Sequence, residues 1–282
     1  MTADNLSPLL PAGKAPTAAT GEATPKKARL GPVGDGNTVV VIPLTGIIGH
    51  GMRYSLERRL KAVAEMGYEG VEFAGYYDYS AEELKKMLDD VGLACCGTHT
   101  ALDTLLGDEL DKSIAFNRTL GNPYLIVPWV KRDTRAGWLD LAKTLSEISE
   151  KLRPHQMRTG YHNHAHDFTP VEGETPWDIL FGNADPSVIM QIDTGNAFHG
   201  GADPVPYIER YPGRAITVHL KEYSKTNDKA IIGEGDVPWE QVFELCEGIG
   251  GTQWYIVEQE SYAYPPLECV ARCLENLRKM GK

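Results

Sequence analysis

From Thr38 to its C-terminus the sequence alternates short apolar runs with amphipathic stretches eight times, and this rhythm leaves few folds open. Thr38–Thr45 (TVVVIPLT) predicts the first strand, with Pro43 near its end. Gly70–Phe73, Leu93–Thr98, Tyr124–Val130, Gly160–His164, Val188–Asp193, Ala215–Leu220 and Trp254–Glu258 predict the second to the eighth. Between them, Ser55–Met66 carries Leu56, Leu60, Val63 and Ala64 at helical spacing. Ser80 and Glu83 make a capping box for the next helix. Further helices are expected over Asp111–Leu120, Trp138–Leu152, Pro176–Leu180, Pro204–Arg210, Pro238–Cys246 and Pro266–Met280. Several begin with proline, whose missing N–H costs nothing in a first turn. Strict alternation requires parallel strands joined by helical crossovers, and eight units is the number that closes a barrel. The class is therefore α/β, a (β/α)₈ barrel. A doubly wound sheet is the rival, but GIIGHG (Gly46–Gly51) has the wrong spacing for a dinucleotide-binding turn.

The 282 residues suffice for one barrel, which takes about 250, plus an extension. Residues 1–37 are rich in Ala, Pro, Gly, Thr and Lys. Such a segment buries too little apolar surface to offset its ordering entropy. It is expected to be a disordered tail, or an arm that orders against a neighbouring subunit, with the barrel over 38–282. A formal net charge of −11 argues against nucleic acid as a partner, since phosphate binding needs a surplus of Lys and Arg. The five cysteines include no CxxC pair and suit buried, reduced thiols. No apolar run reaches the ~18 residues of a membrane span. The short stretch around Leu9–Leu10 is cut by prolines and lacks the basic lead-in of a signal peptide. A cytoplasmic chain without a membrane partner is the expectation.

In a barrel of this kind the C-terminal ends of the strands open into the catalytic mouth. Those ends are rich in ligand-type side chains: Glu72, His99, His162–Asn163–His164, Asp193–Thr194–Gly195–Asn196, His219–Leu220–Lys221–Glu222 and Glu258–Gln259–Glu260. A single strand-end histidine would read as a satisfied core residue. Here His, Asp, His and Glu recur at the ends of strands five to eight. The mixed nitrogen and oxygen set suits one divalent ion such as Zn²⁺, Mn²⁺, Fe²⁺ or Co²⁺ better than Ca²⁺. Alternation along a strand puts His162 and His164 on one side, and His219 and Lys221 likewise. Trp129 and Phe198 could form an apolar wall for a sugar ring, or simply shield the mouth. Asp193–Asn196 reads as a sharp turn, and Gly233–Glu234–Gly235 as a tight loop.

With these residues in view, the chain resembles the sugar phosphate isomerase/epimerase family, the xylose isomerase-like TIM barrels. That superfamily also holds inosose dehydratases, ketose 3-epimerases and the endonuclease IV group. The resemblance runs from about Leu56 to the C-terminus. It rests on AEMGYEGVEFAG (Ala64–Gly75), GTHT (Gly97–Thr100), YHNHAHDF (Tyr161–Phe168), DTGN with GGADP (Asp193–Pro204), YPGR and VHLKEY (Tyr211–Tyr223), GEG (Gly233–Gly235) and VEQE (Val257–Glu260). It implies a divalent metal, Mg²⁺ included, held by Asp193, His219 and Glu258, with His162 in the strand-five position and His164 as its alternate. Many relatives carry glutamate where His162 stands. Its absence counts against a symmetric two-glutamate epimerisation. The segment IPLTGIIGHGMRYS also departs from the family's first strand.

The expected chemistry is metal-assisted proton abstraction beside a carbonyl, through an enediolate. Glu260, His164 and Lys221 are the proton-transfer candidates, and Glu72, His99, Trp129 and Asn196 the substrate contacts. Returning the proton makes a sugar isomerase or epimerase, the first reading. Expelling a β-substituent makes a lyase, either a dehydratase or an enzyme cleaving 3-keto-glycosides. Phosphodiester hydrolysis and a non-catalytic sugar-binding barrel rank behind both. The expected partner is a small sugar or polyol, with a homodimer as the assembly that barrels of this kind often form.

Overall fold

In the computed structural model of the chain, residues 56–282 are described. The expected tail, the boundary at 37/38, the first strand over Thr38–Thr45 and the GIIGHG run lie outside the described residues.

Within them, strands and helices alternate as the periodicity requires. Helix α1 (Leu56–Met66) leads to β1 (Gly70–Ala74), α2 (Ala81–Val91), β2 (Ala94–His99), α3 (Glu109–Leu120) and β3 (Tyr124–Val127). Next come α4 (Arg135–Leu152), β4 (Arg158–His162), α5 (Pro176–Asn183), β5 (Ile189–Gln191), and two short helices, α6 (Thr194–His199) and α7 (Val205–Arg210). The chain ends with β6 (Thr217–Lys221), α8 (Trp239–Leu245), β7 (Trp254–Glu258) and α9 (Pro266–Lys279). These are the second to eighth strands of the sequence reading; the last, Trp254–Glu258, has the expected bounds, and the others differ at an end by at most three residues.

β1 to β5 pair in sequence order as one parallel sheet, and β6 pairs with β7 in parallel. The two are joined by a parallel bridge between Asp193 and His219 and by the bond from His219 N–H to Ile192 O at 2.9 Å. The fold is the TIM barrel that the alternation predicted. At the other edge, the Tyr68 hydroxyl donates to Val270 O of α9 at 2.6 Å, so the last helix packs beside the first described one.

Local physics explains the elements. Leu56, Leu60 and Val63 form the buried stripe of α1. The Ser80–Glu83 capping box forms as expected, and α2 stops at Gly92, whose φ of 76° suits a left-handed cap. Strand interiors such as Leu125–Val127 and Val218 are fully buried between barrel axis and helices. All five cysteines are buried and free. Among the described residues no helix is long and apolar enough to cross a membrane.

One element differs from expectation. Asp193–Asn196 is not a plain turn. Asp193 Oδ1 accepts the Asn196 backbone N–H at 2.7 Å and so caps α6, where glycine-rich sequence alone suggested only a bend.

Candidate active site

The ligand-type side chains converge on the strands' C-terminal ends. A cavity of about 400 Å³ opens there, lined by His99, Trp129, His162, His164, Asn196 and Glu258 among others. A smaller polar cavity of about 190 Å³ adjoins it and shares Asn196, Glu258 and Glu260, with Lys221 in its wall. Trp129 is 53% exposed at the rim and approaches the His166 ring at 5.7 Å. Phe198 lines neither cavity. It stacks on Tyr223 at 5.3 Å, which of its two possible roles disfavours the wall for a sugar ring.

Asp193, His219 and Glu258 are all buried, and one ligand atom from each lies within 4.8 Å of the others. The positions follow from the strand ends. Asp193 sits just past β5, His219 is on β6, and Glu258 is the last residue of β7. Asn163 pins Asp193 from both sides: its Oδ1 accepts the Asp193 N–H at 2.7 Å and its Nδ2 donates to Asp193 O at 3.1 Å. Asp193 Oδ2 and His162 Nδ1 are buried and have no hydrogen-bond partner. The His162 ring stands 4.4 Å from that of His219. A second group, His99, His162 and His219, also satisfies the 4.8 Å limit.

His164 lies beyond the end of β4, so strand alternation no longer governs it. Its backbone N–H donates to Asp167 Oδ2 at 2.7 Å, and its ring sits 5.1 Å from that of His162. Lys221 donates to Asn196 Oδ1 at 2.9 Å and pairs with Glu260. Glu72, expected to touch substrate, is only 1% exposed and lines neither cavity. It lies beneath the larger one, where its Oε2 accepts from His219 Nε2 at 2.7 Å.

The electrostatics follow from burial and neighbours. Burial would lower the His219 pKa, but Glu72 and Glu258 on its two nitrogens outweigh it and raise it to about 10. Burial also works to raise Glu72, yet the His99 and His219 imidazoles hold it well below the usual carboxylate range. Asp193 is pushed up to about 7, chiefly by burial, with Lys221 pulling down and Glu258 pushing up. For Lys221, burial lowers the pKa but the Asp193, Glu258 and Glu260 carboxylates raise it further, so the ammonium stays charged. His164 is lowered to about 4, by burial first and then by His166 and Lys221, so its ring is neutral near pH 7.

Three buried polar residues outside the expected set hold the site together: Asn163, Gln191 and Glu222. Gln191 had a legible signal, a polar residue inside the apolar run Val188–Ile192. Glu222 accepts from Tyr223 N, Gly233 N, Val237 N and Trp239 Nε1 at 2.7–3.2 Å, and so anchors the loop that carries Gly233–Gly235.

The family described as "Xylose isomerase-like TIM barrel" matches residues 60–280. An inosose dehydratase of Clostridium tetani is 23% identical over 251 residues, covering 74% of this chain and 84% of its own length. A sugar phosphate isomerase/epimerase from Parabacteroides distasonis has a similar structure, with a TM-score of 0.74 at 23% identity, over 86% of this chain and 98% of that one. The IolI protein, solved with a bound zinc atom, gives a TM-score of 0.66 at 14% identity, over 86% of this chain and 98% of its own.

Proposed function

The chain belongs to the xylose isomerase-like TIM barrel family, and from that premise we propose that it is a divalent-metal-dependent enzyme that dehydrates a keto-sugar or keto-polyol through an enediolate. The observation that carries this reading is the gathering of Asp193, His219 and Glu258 behind a cavity that His164 lines and Asn196 and Glu260 connect to the charged Lys221.

The residues fit a metal. Asp193 Oδ2 and His162 Nδ1 are buried polar atoms without a hydrogen-bond partner, a condition a coordinated cation would relieve. A zinc-type ion stands about 2.0–2.2 Å from nitrogen and oxygen donors. The separation of His219 Nδ1 and Glu258 Oε2, 3.1 Å, lets both reach one such ion. Asp193, His219 and Glu258 would hold it, with His162 as the fourth donor. When bound, it supplies Lewis acidity to the substrate carbonyl and its neighbouring hydroxyl.

The remaining steps belong to the chain's own side chains. His164, neutral near pH 7, takes the carbon-bound proton next to the carbonyl, and the C–H electron pair moves into the enediolate. Lys221 donates the Nζ proton to the β-hydroxyl as its C–O bond breaks, releasing water, while Glu260 and Asn196 hold the ammonium in place. Trp129 offers an exposed ring face at the rim to the apolar side of a polyol. Returning the proton to carbon instead would give isomerisation or epimerisation, the reading placed first from sequence. His162 in the strand-five position favours elimination, because a symmetric relay needs a carboxylate there. The dehydratase name of the Clostridium tetani relative supports the same choice.

The test is turnover in D₂O on a panel of inososes, ketoses and 3-keto-glycosides, with purified protein and added Mn²⁺, Co²⁺ or Zn²⁺. A dehydrated, deuterium-labelled product is expected. Deuterium exchange with retention of the hydroxyl groups would assign an epimerase or isomerase instead, and an inert panel would count against catalysis of this class.

A further inference from the structure

Below the cavity, Glu72 makes three contacts that occupy both of its oxygens. Its Oε2 lies 2.7 Å from His219 Nε2 and 3.2 Å from His99 Nε2. Its Oε1 accepts from Gln191 Nε2 at 2.8 Å, and the same Gln191 nitrogen donates to Thr217 Oγ1 at 2.9 Å. That leaves Gln191 Oε1 facing His99 Nε2 at 3.0 Å.

These contacts decide which ring nitrogens carry protons. Both partners of His99 Nε2, the Gln191 carbonyl oxygen and the Glu72 carboxylate, can only accept, so Nε2 is the donor. The same holds for His219 Nε2 against Glu72. A nitrogen that bears a proton has no lone pair to give a metal. His219 Nδ1 faces another acceptor, Glu258 Oε2 at 3.1 Å, so in the metal-free chain it too is protonated, and its proton is the one a cation beside Glu258 would replace. His99 Nε2 is withdrawn from coordination in the same way, with its proton directed at Gln191 Oε1 and Glu72 Oε2.

We propose that Glu72 is a positioning residue for the metal centre: it fixes His219 with Nε2–H turned inward and Nδ1 turned to Glu258, and it holds His99 Nε2 away from coordination. Carboxylates that hold the outer nitrogen of a ligating histidine set both its tautomer and its basicity. Gly97 belongs to the same device. It lies on β2 opposite Glu72, and a Cβ at that position would overlap Glu72 Oε1. Glycine there makes room for the carboxylate, a backbone requirement independent of any charge.

The metal half of this proposal rests on the reading of the site given above; the tautomer half does not. Two measurements separate them. In the metal-free, ¹⁵N-histidine-labelled protein, NMR is expected to show a slowly exchanging Nε2–H on His219, assigned by its loss in His219→Gln and lost to exchange in Glu72→Gln. Titration with Co²⁺ is expected to give one ion per chain. Glu72→Gln and Gly97→Ala should each weaken it about 10–100-fold, the second without removing any ionisable group. Glu72→Gln is isosteric and carries the test if Gly97→Ala fails to fold by circular dichroism.

Native Co²⁺ affinity in both variants, or a native His219 lacking the Nε2 proton, would overturn the positioning role. A native chain that binds no Co²⁺, or an Asp193→Asn variant that binds it normally, would instead overturn the metal reading, and the His219 N–H then decides the tautomer by itself.

Discussion

Asp193 Oδ1 accepts the backbone N–H of Asn196 at 2.7 Å, and this one bond does two things. It caps α6, and it leaves the second carboxylate oxygen, Oδ2, buried without a partner. One side chain thus serves as a helix cap with one oxygen and is free to be a ligand with the other.

The two roles separate by substitution. Asparagine also caps helices, so Asp193→Asn keeps α6 while removing the charge a cation needs. Asp193→Ala loses both, at a further cost of about 1 kcal/mol in stability. Metal analysis after dialysis against Mn²⁺ or Zn²⁺ is expected to find no tightly held ion in Asp193→Asn, Asp193→Ala or His219→Ala, and none of the three should turn over substrate. Native metal content in these variants would place the ion elsewhere.

The stability of the metal-free protein should fall as pH rises above about 6.5. Asp193 is raised to about 7 from 3.8, and His219 to about 10 from 6.5, so the folded chain holds protons that the unfolded chain has released. Stability from each is complete below its unfolded value and lost through its folded one, but below 6.5 His162 and His164, held low by burial, act oppositely, so the net decline is expected from about pH 6.5 to pH 10. Glu72, held low, acts oppositely and matters only below its ordinary 4.5. A divalent ion needs both groups deprotonated, so its stabilisation should grow across the same window. Thermal melts at pH 5 to 9, with EDTA and with Zn²⁺, read the difference. A gap that narrows with rising pH would contradict the assignment.

Lys221→Met should keep the metal and lose the reaction. The ammonium is held by Asn196 and Glu260 and is not itself a ligand. Loss of a positioned acid costs about 10²–10⁴-fold in kcat. Glu260→Gln, which only loosens the ammonium, should cost less. Steady-state kinetics beside metal content checks this, and a Lys221→Met enzyme at native kcat would exclude Lys221 as the acid.

Glu222 is expected to matter for the fold before it matters for chemistry. Its carboxylate accepts four donors, whereas glutamine offers one oxygen and turns an NH₂ against the others. Glu222→Gln should destabilise by about 1–3 kcal/mol. Gly235→Ala should act in the same direction, because a Cβ there would overlap Tyr223 O and Glu222 Oε1. Urea unfolding and limited proteolysis between Tyr223 and Trp239 test both, with early cleavage expected in the variants.

Much of this was legible residue by residue. The Ser80–Glu83 cap, the buried stripe of α1 and the order of seven strands follow from periodicities of a few residues. Asp193, His219 and Glu258 were legible because parallel crossover units bring every strand's C-terminal end to one face. Asn163 was hidden in plain view between two histidines, since its two bonds to the Asp193 backbone span 30 positions. The role of Phe198 stayed open because α6, unexpected as a helix, is what turns it onto Tyr223.

The amino-acid sequence by itself determined the alternation of elements, hence the barrel, and the kinds of side chain at its mouth. Both depend on local rules, a period of two in strands and near 3.6 in helices. Only the tertiary structure decided that Glu72 lies beneath the cavity and takes one nitrogen of His219 while Glu258 faces the other. Those contacts join residues 147 and 39 positions apart. They exist because strand packing brings β1, β6 and β7 to one polar floor, and a hydrogen-bond partner is chosen there by proximity and burial, which no local period records.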